Sequence, residues 1–146
     1  ANSGLGMAHG VAAALGVHAR VPHGLACAVM LPTTLRTNRE VAERTLAQAG
    51  RVMQQSVLDS ELSDGESREI AKAVPLDSDE AAAGFAIQTV EQLCDRIGIP
   101  KTLTELGVTH DQIPAIVVSS RGNSMSGNPK TLNDDELTII LRNMTG

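Results

Sequence analysis

Apolar positions along this chain recur at helical spacing, with no convincing alternation of the strand kind. Residues 3–18 form a helix candidate built mostly of Gly and Ala. Within it Gly6, Gly10 and Ala14 fall four residues apart and so share one face. Each helical Gly is unfavourable by about 1 kcal/mol relative to Ala, so this stripe predicts a close packing or functional contact. Arg20-Val21-Pro22-His23-Gly24 reads as a turn. A strongly apolar helix follows from Leu25 to Leu35, with a kink expected at Pro32, which lacks the donor and clashes with the preceding turn. Asn38, followed by Glu40, reads as the N-cap of a helix to about Gln55, with Val41, Leu46, Ala49 and Val52 or Met53 on its apolar stripe.

Ser56 to Ser78 is rich in Ser, Asp and Glu and reads as a loop holding one short helix near Glu66–Val74. Asp77 or Ser78 caps a long helix to about Ile97, closed by Gly98 and Pro100. Its expected core face is Ala82, Phe85, Val90, Leu93 and Ile97. Beyond it come a short helix (Leu103–Leu106), a turn at Gly107, and a capped helix from Thr109 to about Ser120. The glycine-rich loop Arg121–Pro129 leads to a last helix capped by Asn133, with Asp134, Asp135 and Glu136 at the positive end of its dipole and Leu137, Ile140 and Leu141 buried. No internal repeat is visible. The fold class expected is an all-α helical bundle, one domain over residues 1–146.

Composition agrees with that class. Of 146 residues 42% are hydrophobic, yet the only aromatic is Phe85. Ala-rich, aromatic-poor sequences favour helices that approach closely. A chain of this length can bury about 70% of its unfolded surface and needs no metal or disulfide merely to fold. The net charge of −5 is spread along the chain without a basic patch or stacking aromatics, which excludes a nucleic-acid partner. The most apolar stretch, Gly4–Val17, contains His9 and falls short of the roughly 20 residues a membrane helix needs, which excludes a membrane span. Cys27 and Cys94 have neither metal-type nor redox-type spacing. Two reduced, half-buried thiols in a cytoplasmic protein are the plain reading, one bridge the alternative. The chain opens on Ala-Asn-Ser-Gly, inside expected structure and without an initiator Met, so a further segment is expected upstream.

Candidate chemistry centres on two histidines. His9 lies on the Gly/Ala helix, and His23 follows fourteen residues later at the turn into the next helix. Neutral imidazole is the commonest protein ligand for transition metals. On spacing alone the pair is a weak signal, with capping or packing the ordinary reading, and two ligands are too few for a metal site.

A wider pattern sharpens the reading. The run Asn2-Ser3-Gly4-Leu5-Gly6-Met7-Ala8-His9-Gly10, then Gly16, then Val21-Pro22-His23-Gly24-Leu25-Ala26 resembles the signature of the iron-dependent (group III) alcohol dehydrogenases. Gly98-Ile99-Pro100-Lys101-Thr102-Leu103-Thr104-Glu105-Leu106-Gly107-Val108 is similar to the family's connection between late helices, and Gly127-Asn128-Pro129-Lys130 resembles its Gly-Asn-Pro-Arg loop. The resemblance implies the helical C-terminal domain of a dehydroquinate synthase-like fold, partnered by an N-terminal nucleotide-binding domain upstream. It implies a metal, Fe(II) or Zn(II), held by one Asp and three His, of which His9 and His23 match the last two. The activity implied is NAD(P)-dependent interconversion of small alcohols with aldehydes or ketones, the metal acting as a Lewis acid.

Two departures stand out. No glycine-rich nucleotide motif precedes the metal helix, and the family's further histidine four residues after the first of these ligands is here Ala13. Ala13 and Ser124, the latter in the loop that approaches the family's cleft, are the substrate-pocket candidates implied. The loop Arg121–Pro129 lacks the Lys-Ser/Thr ending of a phosphate cradle. His18 and His110 read as ordinary, and Glu40/Arg44 and Glu91/Asp95 with Arg96 as solvated faces. Catalytic residues proper are not assigned, and the chain alone is expected to be inactive. A stand-alone helical interaction module is the alternative. The face carrying Gly6, His9 and Gly10 is expected to pack on the upstream domain and, without it, to drive self-association into a homo-oligomer.

Overall fold

The computed structural model describes residues 5–60 and 65–146. Among the described residues six α-helices follow in order: α1 (Met7–Ala19), α2 (His23–Asp59), α3 (Gly65–Ala73), α4 (Asp79–Arg96), α5 (Ile113–Ser119) and α6 (Asp134–Asn143). Short 3-10 turns occupy Thr104–Leu106, His110–Gln112 and Met125–Gly127. Among the described residues there is no strand, as the helical periodicity requires. None of the described helices is long and apolar enough to cross a membrane. The predicted first turn at residues 3–4 and the Asn2-Ser3-Gly4 start of the motif lie outside the described residues.

The chain divides into two compact units, one formed by the described residues up to Asn38 with Cys94–Gly146, the other by Arg39–Leu93 without its undescribed part. The core of the first is built from Met7, Val11 and Leu15 of α1, Ala26 and Met30 of α2, Leu103 and Val108, Ile113 and Ile116 of α5, and Leu137 and Leu141 of α6. Full burial of such side chains contributes about 1.5–3 kcal/mol each. The glycine stripe of α1 explains the packing of α1 on α5 and the turn beyond it. A Cβ at Gly10 would lie 3.0 Å from the Ser120 carbonyl and 3.2 Å from Met125 Cβ. Of the face expected to pack on another domain, Gly6 and Gly10 are instead buried by this chain itself, while His9 is half-buried.

The start of α1 is held firmly. Gly6 adopts φ 78°, which only glycine takes without strain, and donates its N–H to the Ser124 carbonyl at 2.7 Å. The next N–H, that of Met7, donates to Asn128 Oδ1 at 3.0 Å. The Gly127-Asn128-Pro129-Lys130 segment thus caps the helix that carries His9.

Helix α2 corrects the sequence reading most clearly. The two helices expected over 25–35 and 38–55 are one, 37 residues long with Pro32 inside it. Asn38 is not an N-cap; it is buried, and its side-chain amide faces the loop. Its Nδ2 donates to Asn128 Oδ1 at 2.9 Å, and its Oδ1 accepts from Asn128 Nδ2 at 2.8 Å and from the Lys130 N–H at 3.2 Å. Asn signals a cap because its side chain competes locally for backbone groups. Here a partner ninety residues away takes those groups, and the helix continues through.

In the second unit the α2–α4 contact is made by small residues: Ala47, Ala82 and Ala83 are buried, with Leu46 and Leu76 against them. Gly50 sets the approach, for a Cβ there would lie 2.0 Å from the Ala82 carbonyl oxygen. The predicted stripe was rotated away from this face, so Val41 and Val52 are exposed. On α4, Ala82 and Phe85 are buried as expected, whereas Leu93 is 55% exposed, and Ile97, which the sequence placed on this helix, follows its end and is 64% exposed. The core is concentrated in the first half of that helix.

Most predicted helix starts stand. Ser78 Oγ accepts from the Ala81 N–H at 3.0 Å. Asn133 Oδ1 accepts from the Glu136 N–H at 2.9 Å while Glu136 Oε2 accepts from the Asn133 N–H at 2.8 Å, a reciprocal capping box. Thr109 and Gln112 form another. The helix expected over 109–120 is instead a 3-10 turn followed by α5, because Pro114 near its start has no N–H to donate backward. The glycine-rich loop is pinned: the Arg121 guanidinium pairs with Asp134 at 2.7 Å and donates to the Leu132 carbonyl at 2.6 Å.

Candidate metal centre

Local geometry explains how residues fourteen apart meet. His9 is the third residue of α1 and His23 the first of α2. From His9 to Ala19 the helix rises about 15 Å, of which the residues from Ala19 to His23 can retrace at most about 14 Å, and the two side chains span the rest. Arg20, in the left-handed conformation at φ 56°, reverses the chain. The Val21 N–H then bonds back to the Leu15 carbonyl, and the Val21 carbonyl oxygen lies 3.7 Å from where a Gly16 Cβ would stand. Gly16 leaves room for the returning strand, Val21 is buried as its anchor, and His23 is laid beside His9.

His9 Nδ1 lies 3.1 Å from His23 Nε2, with the ring centroids 5.3 Å apart and tilted by 43°. The two nitrogens can share one proton or one cation, but cannot both aim a proton at the other. Cys27, one turn along α2 from His23, places Sγ 3.5 Å from each of those nitrogens. The three donor atoms form one cluster, with His9 and Cys27 half-buried and His23 exposed. Burial pushes the Cys27 thiol above its ordinary value. Sequence reasoning brought His9 and His23 together correctly and passed over Cys27. The signal was available in its position four residues after His23, on the same helix face.

The other candidates are spread elsewhere. Ala13 is exposed on α1, one turn beyond His9. Ser124 is half-buried, and its carbonyl accepts the Gly6 N–H, a backbone role that the sequence did not reveal. His18 is structural, its Nε2 2.7 Å from Ser119 Oγ and its carbonyl accepting from Gln112.

Comparison with known proteins agrees with this architecture. The sequence model of the Fe-containing alcohol dehydrogenase family, C-terminal, matches residues 1–145. The chain belongs to this family. Lactaldehyde reductase of Escherichia coli (strain K12) is 32% identical over 136 residues, covering 91% of this chain and 31% of the relative. The 1,3-propanediol dehydrogenase of Citrobacter freundii is 34% identical over 143 residues, 97% of this chain and 32% of the relative. A crystal structure of a 1,3-propanediol oxidoreductase superposes with a TM-score of 0.73 at 26% identity, covering 95% of this chain and 32% of that one. The chain thus spans about a third of the length of these iron-type dehydrogenases, and its all-helical fold is that of their C-terminal region.

The donor set can be tested against a metal by its own spacing. A tetrahedral zinc ion with bonds of about 2.0–2.1 Å to nitrogen and about 2.3 Å to sulfur separates two nitrogens by about 3.3 Å and a nitrogen from sulfur by about 3.5 Å. The observed 3.1 Å edge between the His9 and His23 nitrogens lies within about 0.2 Å of the nitrogen–nitrogen value, so the pair can face one ion.

Proposed function

We propose that this chain supplies the metal-holding part of an NAD(P)-dependent alcohol dehydrogenase acting on small alcohols and their aldehydes, with His9 and His23 as metal ligands. The observation that carries the reading is the 3.1 Å approach of two imidazole nitrogens from different helices. The whole-chain match to the iron-type family supports it. The metal, Fe(II) or Zn(II), supplies Lewis-acid polarisation of the substrate oxygen while hydride passes to or from the nicotinamide. The nicotinamide cofactor is held by an N-terminal nucleotide-binding domain, and the working protein is cytoplasmic.

The chain's own residues position and shape the centre. Asn128 and Ser124 fix the start of α1 and so the height of His9, and Arg20, Val21 and Gly16 fix His23. Ala13, exposed one turn beyond His9, leaves space beside the centre in place of an imidazole, so a proton leaving the substrate hydroxyl passes to solvent and not to a side chain at this position. Ser124 lines the substrate side of the same helix start. A stand-alone interaction module gains no support from the family match.

The test is steady-state oxidation of small diols and reduction of small aldehydes by the complete gene product with NAD(H) and NADP(H), beside metal analysis. His9→Ala and His23→Ala are each expected to lose bound metal and to lower kcat/KM by at least about 100-fold. Full activity in either variant would overturn the assignment.

A further inference from the structure

One side chain bonds to both helices that carry the histidines. Asn128 Oδ1 accepts from the Met7 N–H, two residues before His9 on α1, at 3.0 Å. It also accepts at 2.9 Å from Nδ2 of Asn38 on α2, the helix that begins with His23. Its own Nδ2 donates to Asn38 Oδ1 and to the Lys130 carbonyl, both at 2.8 Å. An amide offers two donor and two acceptor positions, and all four are taken. Turned over, it would set its NH2 against two donors and its oxygen against two acceptors, so the bridge has a single orientation. Capping of α1 needs only the bond to Met7 and does not explain Asn38, which is buried in α2 and accepts a further bond from the Lys130 N–H at 3.2 Å. An apolar side chain would fill that place without the cost of burying an amide. What the amide adds is direction, because hydrogen bonds fix register along a helix where apolar contact does not. Register matters here, since about 22 Å of helix separates His23 from Asn38 and Pro32, lying between them, removes one ladder bond. The reversal at Arg20 holds α2 at its start, and Asn38 holds it beyond the proline.

We propose that Asn38 is a positioning residue for the metal centre. Through Asn128 it locks the helix of His23 against the start of the helix of His9, and so keeps their nitrogens at the 3.1 Å spacing at which both can face one ion. The proposal rests on the metal-centre reading of His9 and His23 and deepens it. Loss of a partner that orients a metal ligand typically weakens metal binding about 10–100-fold. Asn38 acts at one remove, through Asn128, so its effect falls at the lower end, about tenfold.

The experiment uses the complete gene product, loaded anaerobically with Zn(II) to read affinity and with Co(II), whose visible d–d bands report ligand geometry. Asn38→Ala, folded by circular dichroism, is expected to bind Zn(II) about tenfold more weakly and to shift the cobalt bands. Asn38→Asp keeps the bonds accepted from Asn128 and Lys130 and should recover part of the affinity. Adding Asn38→Ala to Asn128→Ala should weaken binding no further than Asn128→Ala alone, because the two remove the same bridge. Leu141→Ala, buried on α6 and outside the link, is the control: it opens a cavity and lowers stability, yet should leave affinity and bands as in wild type. Wild-type affinity with unmoved bands in Asn38→Ala, or an equal loss in Leu141→Ala, would overturn the proposal and leave His9 and His23 standing. If Asn38→Ala does not fold, Asn38→Asp decides: weaker binding with shifted bands supports the link, and wild-type behaviour refutes it. No metal bound by folded wild type would overturn both readings.

Discussion

Asn128→Asp separates two physical effects of opposite sign at the helix that carries His9. Asn128 Oδ1 accepts from the Met7 N–H at the start of α1 and from Asn38 Nδ2, at 3.0 and 2.9 Å. Its Nδ2 donates to Asn38 Oδ1 and to the Lys130 carbonyl, both at 2.8 Å. Aspartate has the same shape and would keep the two accepted bonds. Its negative charge beside a helix N-terminus would be favourable by about 0.3–1 kcal/mol. But the second carboxylate oxygen would face two acceptors where an amide had donated. The two lost hydrogen bonds, about 1 kcal/mol each, and about 1–2 kcal/mol for setting a carboxylate oxygen against two part-buried acceptors outweigh that gain and leave a net destabilisation of about 2–3 kcal/mol. Urea denaturation of the 146-residue chain at neutral pH, followed by circular dichroism, reads this directly. The midpoint should fall by about 1 M or more at an ordinary urea slope of about 2 kcal/mol/M. An unchanged or raised midpoint would refute the network and leave the helix dipole as the dominant effect. A double-mutant cycle with Asn38→Ala and Asn128→Ala should give a coupling of about 1–3 kcal/mol, because the two amides share partners.

Other perturbations test separate parts of the account. Ala for Gly in a helix ordinarily stabilises by about 1 kcal/mol, and Gly84→Ala, whose Cβ would meet nothing nearer than Arg39 Nη2 at 3.8 Å, should raise the urea midpoint accordingly. Gly50→Ala should do the reverse and lose about 3 kcal/mol or more, since its Cβ would sit 2.0 Å from a backbone oxygen of α4; stabilisation would disprove the close α2–α4 approach. A hydrogen bond from the Thr102 hydroxyl, aided by backbone N–H groups of Thr102 and Lys101, holds Glu105 below its ordinary carboxylate value. The unfolded chain therefore takes up that proton first, and the stabilisation, full above the ordinary value, is lost as pH falls through the lower folded one. Glu105→Gln keeps an acceptor without the titration, so stability measured from about pH 6 down to about pH 3 should fall less steeply than in wild type; parallel curves would count against the contact.

The sequence made some of this legible and not the rest, for identifiable reasons. Capping chemistry is local, so Ser78, Thr109 and Asn133 were readable as helix starts. The glycine stripe foretold a close contact, though not that Ser120 and Met125 supply it. Asn38 misled because its bonding partners, Asn128 and Lys130, are some ninety residues distant and no local pattern carries that information. The apolar stripes of α2 and α4 were misplaced for a related reason: their contact is made through Ala47, Gly50, Ala82 and Ala83, whose small side chains give weak periodicity. The histidine pair was recognisable only with the surrounding motif. Its geometry depends on the chain reversal at Arg20 and on the space Gly16 leaves; the place of Cys27 one turn from His23 was readable in the sequence, its approach to His9 only in the fold.

The central claim, that His9 and His23 hold a metal, is tested most directly by anaerobic calorimetric titration of Fe(II) and of Zn(II) into the complete gene product, beside His9→Ala and His23→Ala. One equivalent bound per chain, with binding lost in either variant while the fold persists, is the predicted result. Binding that survives both substitutions, or no binding by folded wild-type chain, would contradict it.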